Sequence, residues 1–264
     1  MKYYYMMYYV GFFAALGVNL LFHYKYRSSR LRAALYTFCF VYGVVGALLM
    51  GKVYTAILRR NGLSGSSSVS MFGAVIFTPL LVIATACAET AVRNALKKAK
   101  QPKKKNPLLT SYSERAGQTL DMLTPDIFIV LACMKLGCHF RGCCYGVPME
   151  NGIYSAMADM KVFPVQILES ATIFAILILC CFLKQAPFYR SGMAYPLTAA
   201  VYCVSRFIWE FRRYYPEEMR RLILGMTFWQ FCALLVFLSS AVSVTVLIKT
   251  RPASPLPKRK KTNR

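Results

Sequence analysis

Apolar residues in this chain come in long runs separated by short basic stretches, without the alternation of half-buried strands or the single apolar stripe of soluble helices. A helix needs about 20 apolar residues to cross the ~30 Å hydrocarbon layer. Seven runs meet or approach that length: roughly Met6 to Phe22, Leu35 to Leu58, Val69 to Ala88, Met122 to Gly137, Phe163 to Leu183, Met193 to Trp209 and Leu222 to Ile248. The pattern predicts an all-α integral membrane protein. Residues 1–248 form seven transmembrane helices that carry the active centre, and residues 249–264 form a basic cytoplasmic tail. The amino end has one lysine and a tyrosine cluster where a signal peptide carries a basic region, so it reads as a retained first helix with an interfacial aromatic belt.

Composition agrees, with 57% hydrophobic residues against 16% charged. A net charge of +23 suggests nucleic acid until its distribution is considered. The lysines and arginines cluster between apolar runs, which is the positive-inside pattern and argues against nucleic acid as a partner. With Lys25, Arg27, Arg30 and Arg32 on the cytoplasmic side, alternation puts the basic tract from Arg93 to Arg115, Lys184, Arg190 and the tail on that side too. The amino end then lies outside and the carboxyl end inside. The two basic tracts read as solvated segments near anionic lipid headgroups.

Several polar residues interrupt the spans at one depth. At 1.5 Å rise per residue, Lys135 and Arg206 each stand roughly 20 Å above the inner start of their helices. From the outer side, Gln166 and Glu169 fall in the first two turns after Pro164, and Gln230 lies about 12 Å into the last span. Tyr202, Arg206 and Glu210 share one face at i, i+4 and i+8. An intramembrane cation marks a functional site by default. Arg206 is either that or one end of a structural pair with Glu210 or Glu169; Lys135 either binds a ligand or snorkels to the interface, as Lys52 is expected to do. Two cations with these partners suit an anionic lipid headgroup entering from the outer leaflet.

The segment KLGCHFRGCCYG, Lys135 to Gly146, ends the fourth run. Its glycines, Gly137, Gly142 and Gly146, allow a tightly turned backbone that forms the floor of a polar site. Cys138, Cys143 and Cys144 leave three readings open: metal ligands, though the spacing fits neither a zinc ribbon nor a finger; a disulfide from Cys138 to Cys143 or Cys144; or free thiols. No metal and no cofactor are expected. Cys39, Cys87, Cys180, Cys181, Cys203 and Cys232 lie inside apolar runs and read as small buried hydrophobes.

KLGCHFRGCCYG resembles the signature of prolipoprotein diacylglyceryl transferases, close to its cysteine-containing form G-C-F-x-x-G-C-C-Y-G. Three more stretches resemble that family in the same order: FPVQILES from Phe163, YCVSRFIWEFRR from Tyr202 and LGMTFWQ from Leu224. The resemblance implies an enzyme of the bacterial cytoplasmic membrane. It would transfer the diacylglyceryl group of phosphatidylglycerol to the lipobox cysteine of a preprolipoprotein signal peptide. It puts Arg206 at the family's essential arginine, with Tyr202 and Glu210 flanking, and Gly146 closing the signature loop. Lys135 stands where most members have arginine, and Cys138 and Cys143 replace asparagine and glutamate. Met71-Phe72-Gly73 replaces a His-Gly-Gly segment.

The expected catalytic residues are therefore Arg206, Lys135, Glu210 and His139, the last as a base or else a loop histidine facing water. Tyr202, Arg141, Gly142, Gly146, Gln166, Glu169 and Gln230 are the expected substrate-binding residues. The rival expectations are a relative that binds anionic lipid or lipopeptide without chemistry, and a membrane thiol-redox protein.

Overall fold

The computed structural model describes residues 2–26, 30–63, 70–100, 112–184, 186, 188–220 and 223–250. The basic tract at 101–111, Arg27 and the tail at 251–264, which the sequence puts on the cytoplasmic side, lie outside the described residues, as does the loop at 64–69.

The described chain is mostly helix: α1 (Lys2–Tyr26), α2 (Arg30–Arg60), α3 (Met71–Lys100), α4 (Tyr112–Arg141), α5 (Val165–Leu183), α6 (Ala194–Glu210), the short α7 (Glu217–Arg220) and α8 (Phe228–Thr250). Three of these are long and apolar enough by composition to cross a membrane: Phe72–Leu96 within α3, Val165–Leu183 and Phe228–Thr250. Two differences from the sequence reading matter. An antiparallel hairpin, β1 (Pro148–Ser155) and β2 (Met160–Val162), stands between α4 and α5, so the fold is not purely helical. And α4 continues four residues past the predicted end at Gly137, so Lys135, Cys138 and His139 lie on a helix and only the second half of KLGCHFRGCCYG turns.

Helix α4 is the hub, packed against α1, α3, α5 and α6, while α2 lies on α3 and α6 on α8. Phe128, Leu123 and Leu131 of α4 meet Val82 of α3, Ile173 of α5, Ala199 and Tyr202 of α6 and Ala233 of α8 in one core. Helices α2 and α3 approach through Gly46 and Gly73; a Cβ on Gly73 would stand 2.2 Å from the Gly46 carbonyl oxygen, so only glycine permits the contact. The register of α6 against α4 is set at their far end. There the Asp121 carboxylate accepts from the Gly192 and Ala194 amides at 2.6 and 2.8 Å, satisfying two donors at the start of α6. That anchor aims Arg206, twelve residues along α6, at the carboxyl-terminal end of α4.

Candidate functional site

Glu169 of α5 is the centre of a buried charged cluster. Its Oε2 lies 2.9 Å from Lys135 Nζ of α4 and in contact with Arg213 Nη2, and its Oε1 lies 3.0 Å from Arg206 Nη1 of α6. Arg206 Nη1 also lies 2.5 Å from Glu210 Oε2, and Arg213 Nε 3.6 Å from the same oxygen. All five side chains are buried, Glu169 to 1% exposure. Three cations against two carboxylates leave one positive charge in excess. Several of these contacts are charge contacts without hydrogen-bond alignment: Glu169 Oε1, Arg206 Nη1, Glu210 Oε2 and Arg213 Nε have none. Burying such charges costs several kcal/mol per ion, and an apolar replacement is often as stable. An anion is the ligand that an excess of buried, imperfectly aligned cations suits.

Arg213 lies beyond α6 and is held by the signature loop. Gly146 bridges to Arg213, and the Val147 amide donates to the Arg212 carbonyl at 3.0 Å. The Tyr214 amide donates to the Tyr145 carbonyl at 3.2 Å, with the two rings stacked at 5.5 Å. A Cβ on Gly146 would stand 2.5 Å from the Phe163 carbonyl oxygen and 2.9 Å from that of Arg212. Gly146 therefore lets three backbone segments meet, and that meeting delivers Arg213 to Glu169.

The turn before it ends α4 in a Schellman motif. Gly142 takes the left-handed conformation (φ +78°); its amide donates to His139 O at 3.0 Å and the Cys143 amide to Cys138 O at 3.1 Å. Ser155 of β1 donates to the Gly142 carbonyl at 2.9 Å, and Gln166 of α5 to the Cys143 carbonyl at 2.9 Å. Cys144 is also left-handed (φ +57°), a conformation that costs a non-glycine residue energy. The folded-back chain brings the sulfurs of Cys138, Cys143 and Cys144 within 4.8 Å of one another as free thiols. The Cys138 and Cys143 thiols turned on Cys144, with Arg213 and Lys135 nearby, hold the Cys144 thiol well below the ordinary thiol range. For Cys143 the contact with Cys138 works downward but is outweighed by the contact with Cys144 and by burial, and its thiol is pushed up to about 11.

Of the residues expected to line the site, Arg206, Lys135, Glu210 and Glu169 come together as described, and Gln166, Gly142 and Gly146 hold the turn beside them. Tyr202 is 2% exposed and packs its ring against Phe72 and Phe128 at 6.3 and 5.8 Å. Gln230 forms a capping box at the start of α8: its Oε1 accepts from the Thr227 amide at 3.0 Å, and its own amide donates to Thr227 Oγ1 at 3.1 Å. Two expected residues stand elsewhere. Arg141 is exposed and lies over the Tyr4 ring of α1 at 5.2 Å. His139 lines a small hollow under the hairpin with Ser155, Pro164 and Gln166.

The sequence reading missed Arg213 and Thr227. Arg213 follows Arg206 at i+7 and Glu210 at i+3, spacings that continue their face, but the predicted helix ended at Trp209. Thr227 donates to Glu210 Oε1 at 3.0 Å and so couples the α8 cap to the cluster; its signal was the T-x-x-Q spacing to Gln230.

Fold and site together define a helical membrane-protein class with a buried, cation-rich cluster at one end of the helices, roofed by a glycine–cysteine turn. The sequence pattern of the family described as prolipoprotein diacylglyceryl transferase matches residues 108–246, from just before α4 into α8 and just over half of the chain. The chain belongs to that family. A search of curated proteins finds no match.

Proposed function

We propose that the chain transfers the diacylglyceryl group of phosphatidylglycerol to the lipobox cysteine of preprolipoprotein signal peptides. The observation that carries the reading is the surplus of buried cations around Glu169 and Glu210, in a chain of this family. The lipid phosphodiester competes with the two glutamates for Arg206 and Lys135, Arg206 offering a fork and Lys135 a point charge. The peptide thiolate then attacks the glyceryl carbon next to the phosphate. The S–C bond forms, the C–O bond breaks, and glycerol phosphate departs with the electron pair. The leaving phosphate gains a negative charge at that moment, and the preorganised cations stabilise it. Tyr202 and Glu210 hold Arg206 in orientation, and Gly142 and Gly146 shape the loop over the lipid.

In this reading seven helices, α1 to α6 and α8, cross a bacterial cytoplasmic membrane with the amino end outside. The cluster lies on the outer-leaflet side, and the chain from 249 onward lies in the cytoplasm. Support comes from the positive-inside pattern and from the coincidence of the seven long helices with the seven apolar runs.

The test is release of glycerol phosphate from phosphatidylglycerol by purified protein in detergent, with and without a lipobox peptide. Peptide-dependent release that disappears in Arg206→Ala is expected. Release that is unchanged in Arg206→Ala would remove Arg206 from the mechanism. No release, with phosphatidylglycerol still bound, would leave a lipid-binding relative, a reading favoured by Met71-Phe72-Gly73 in place of the family's histidine segment.

A further inference from the structure

Among the described residues, the thiol cluster is a group of chemically active side chains at the site that the transferase mechanism leaves unused. Adjacent cysteines seldom face one ion, because successive side chains along an extended chain diverge. Here the backbone removes that objection. The Schellman turn lays Cys143 back over Cys138, whose carbonyl oxygen lies 3.7 Å from Cys143 Sγ. The left-handed backbone of Cys144 then turns its side chain to the same side, so that all three sulfurs fall within 4.8 Å of one another. Sulfurs of a tetrahedral site with metal–sulfur bonds of about 2.3 Å stand roughly 3.8 Å apart, so closure onto an ion needs movements of an ångström or less.

From this geometry we infer that Cys138, Cys143 and Cys144 form a three-thiolate site for a soft metal ion of the zinc class, with its fourth position open to a substrate thiol. The second half of that statement rests on the transferase reading. Thiolates select zinc-class ions over magnesium or calcium. Three protein ligands with one open position is the pattern of catalytic rather than structural zinc. Cys144 is exposed, which gives the ion a way in. A divalent ion among three thiolates carries one net negative charge, and Lys135 and Arg213 stand close enough to Cys144 to offset it.

On binding, the three thiols lose their protons to solvent and three metal–sulfur bonds form. An incoming thiol then displaces the bound water, loses its proton to solvent and is held as a metal-bound thiolate. That activation is what the chain otherwise lacks where the family's histidine segment reads Met71-Phe72-Gly73. The Gln166 side chain, one turn before Glu169 on α5, ties the cysteine turn to the charged cluster, so activated thiol and lipid phosphate would meet at one place.

The experiment uses full-length purified protein, reduced and stripped with a chelator, then titrated with Co2+ alone. The expected result is one equivalent bound, with a near-ultraviolet thiolate-to-cobalt band and tetrahedral visible bands, both displaced by Zn2+. Cys138→Ser and Cys144→Ser should each lose most of the near-ultraviolet band while keeping wild-type thermal stability without metal. A wild-type protein without that band, or an unchanged band in Cys144→Ser, overturns the site. In the second arm a lipobox peptide is added to the cobalt protein without phosphatidylglycerol. A shift of the visible bands by the cysteine peptide, absent with its serine counterpart, is expected; no shift overturns the open position. Neither arm needs turnover. Cobalt binding without transfer would defeat the transferase reading alone, and full transfer by chelator-stripped protein would defeat the metal's role alone.

Discussion

Glu169→Gln tests whether the cluster is held together as its geometry indicates. The carboxylate touches Lys135, Arg206 and Arg213, and all four groups are buried. Exchange for the isosteric amide keeps the volume and removes the charge, leaving three cations against Glu210 alone, so the excess rises from one positive charge to two. Removing one partner of a buried ion pair costs roughly 3–5 kcal/mol, because the others stay desolvated and unpaired. At about 2–4 °C per kcal/mol for chains of this size, the midpoint of thermal unfolding in detergent should fall by roughly 6 °C or more. The double variant Glu169→Gln with Lys135→Met returns the excess to one charge and should recover part of that loss, a coupling of the sign expected for groups in contact. Unfolding followed by intrinsic fluorescence reads the wild type, Glu169→Gln, Lys135→Met and the double variant. An unchanged midpoint in the single variant, or simple additivity in the double, would refute the view that Glu169 is what these cations are gathered on.

Gly146→Ala places a methyl group 2.5 Å from the Phe163 carbonyl oxygen; it should destabilise the protein by about 1–3 kcal/mol, read in the same assay, and lower transfer because Arg213 hangs on that junction. Thr227→Ala removes a cap and a donor to Glu210 and should cost about 0.5–2 kcal/mol, whereas Thr227→Ser should keep most of it. After chelation, Cys144 should lose less of its alkylation rate between pH 8 and pH 6 than an ordinary thiol does, because the Cys138 and Cys143 thiols, with Arg213 and Lys135 nearby, hold its thiol well below the ordinary range. An ordinary thiol near 8.5 would slow roughly seventyfold over that interval, and peptide mass mapping distinguishes the two.

The helices were legible in the sequence because an uninterrupted apolar run of membrane length has few other uses, and α5 begins within two residues of the predicted start of its span. The hairpin was not. Its strands are short and mostly exposed, and Asn151-Gly152, a turn signal, falls inside β1, where the register shifts between Pro148 and Ile153. The actual turn is made by residues 156–159, with Asp159 left-handed and its carboxylate accepting from Tyr154. Within the site, depth arithmetic brought Lys135, Glu169 and Arg206 together, since ions buried at one level must find each other. It could not separate Gln230, whose capping role depends on where α8 begins, or find Arg213, which reaches the cluster through a loop. His139 shows the limit of proximity in sequence: it sits four residues from Lys135 on α4, yet lines the hollow under the hairpin. The cysteine turn was legible only afterwards, because two left-handed residues in three decide where the thiols go.

In the proposed function this cation cluster serves the transfer of a diacylglyceryl group to a thiol. The most direct measurement incubates purified protein with phosphatidylglycerol and a lipobox peptide and follows the peptide by mass spectrometry. A thioether-linked diacylglyceryl peptide is expected from the wild-type chain and not from Arg206→Ala. Unmodified peptide from a folded, lipid-bound wild-type protein would contradict it.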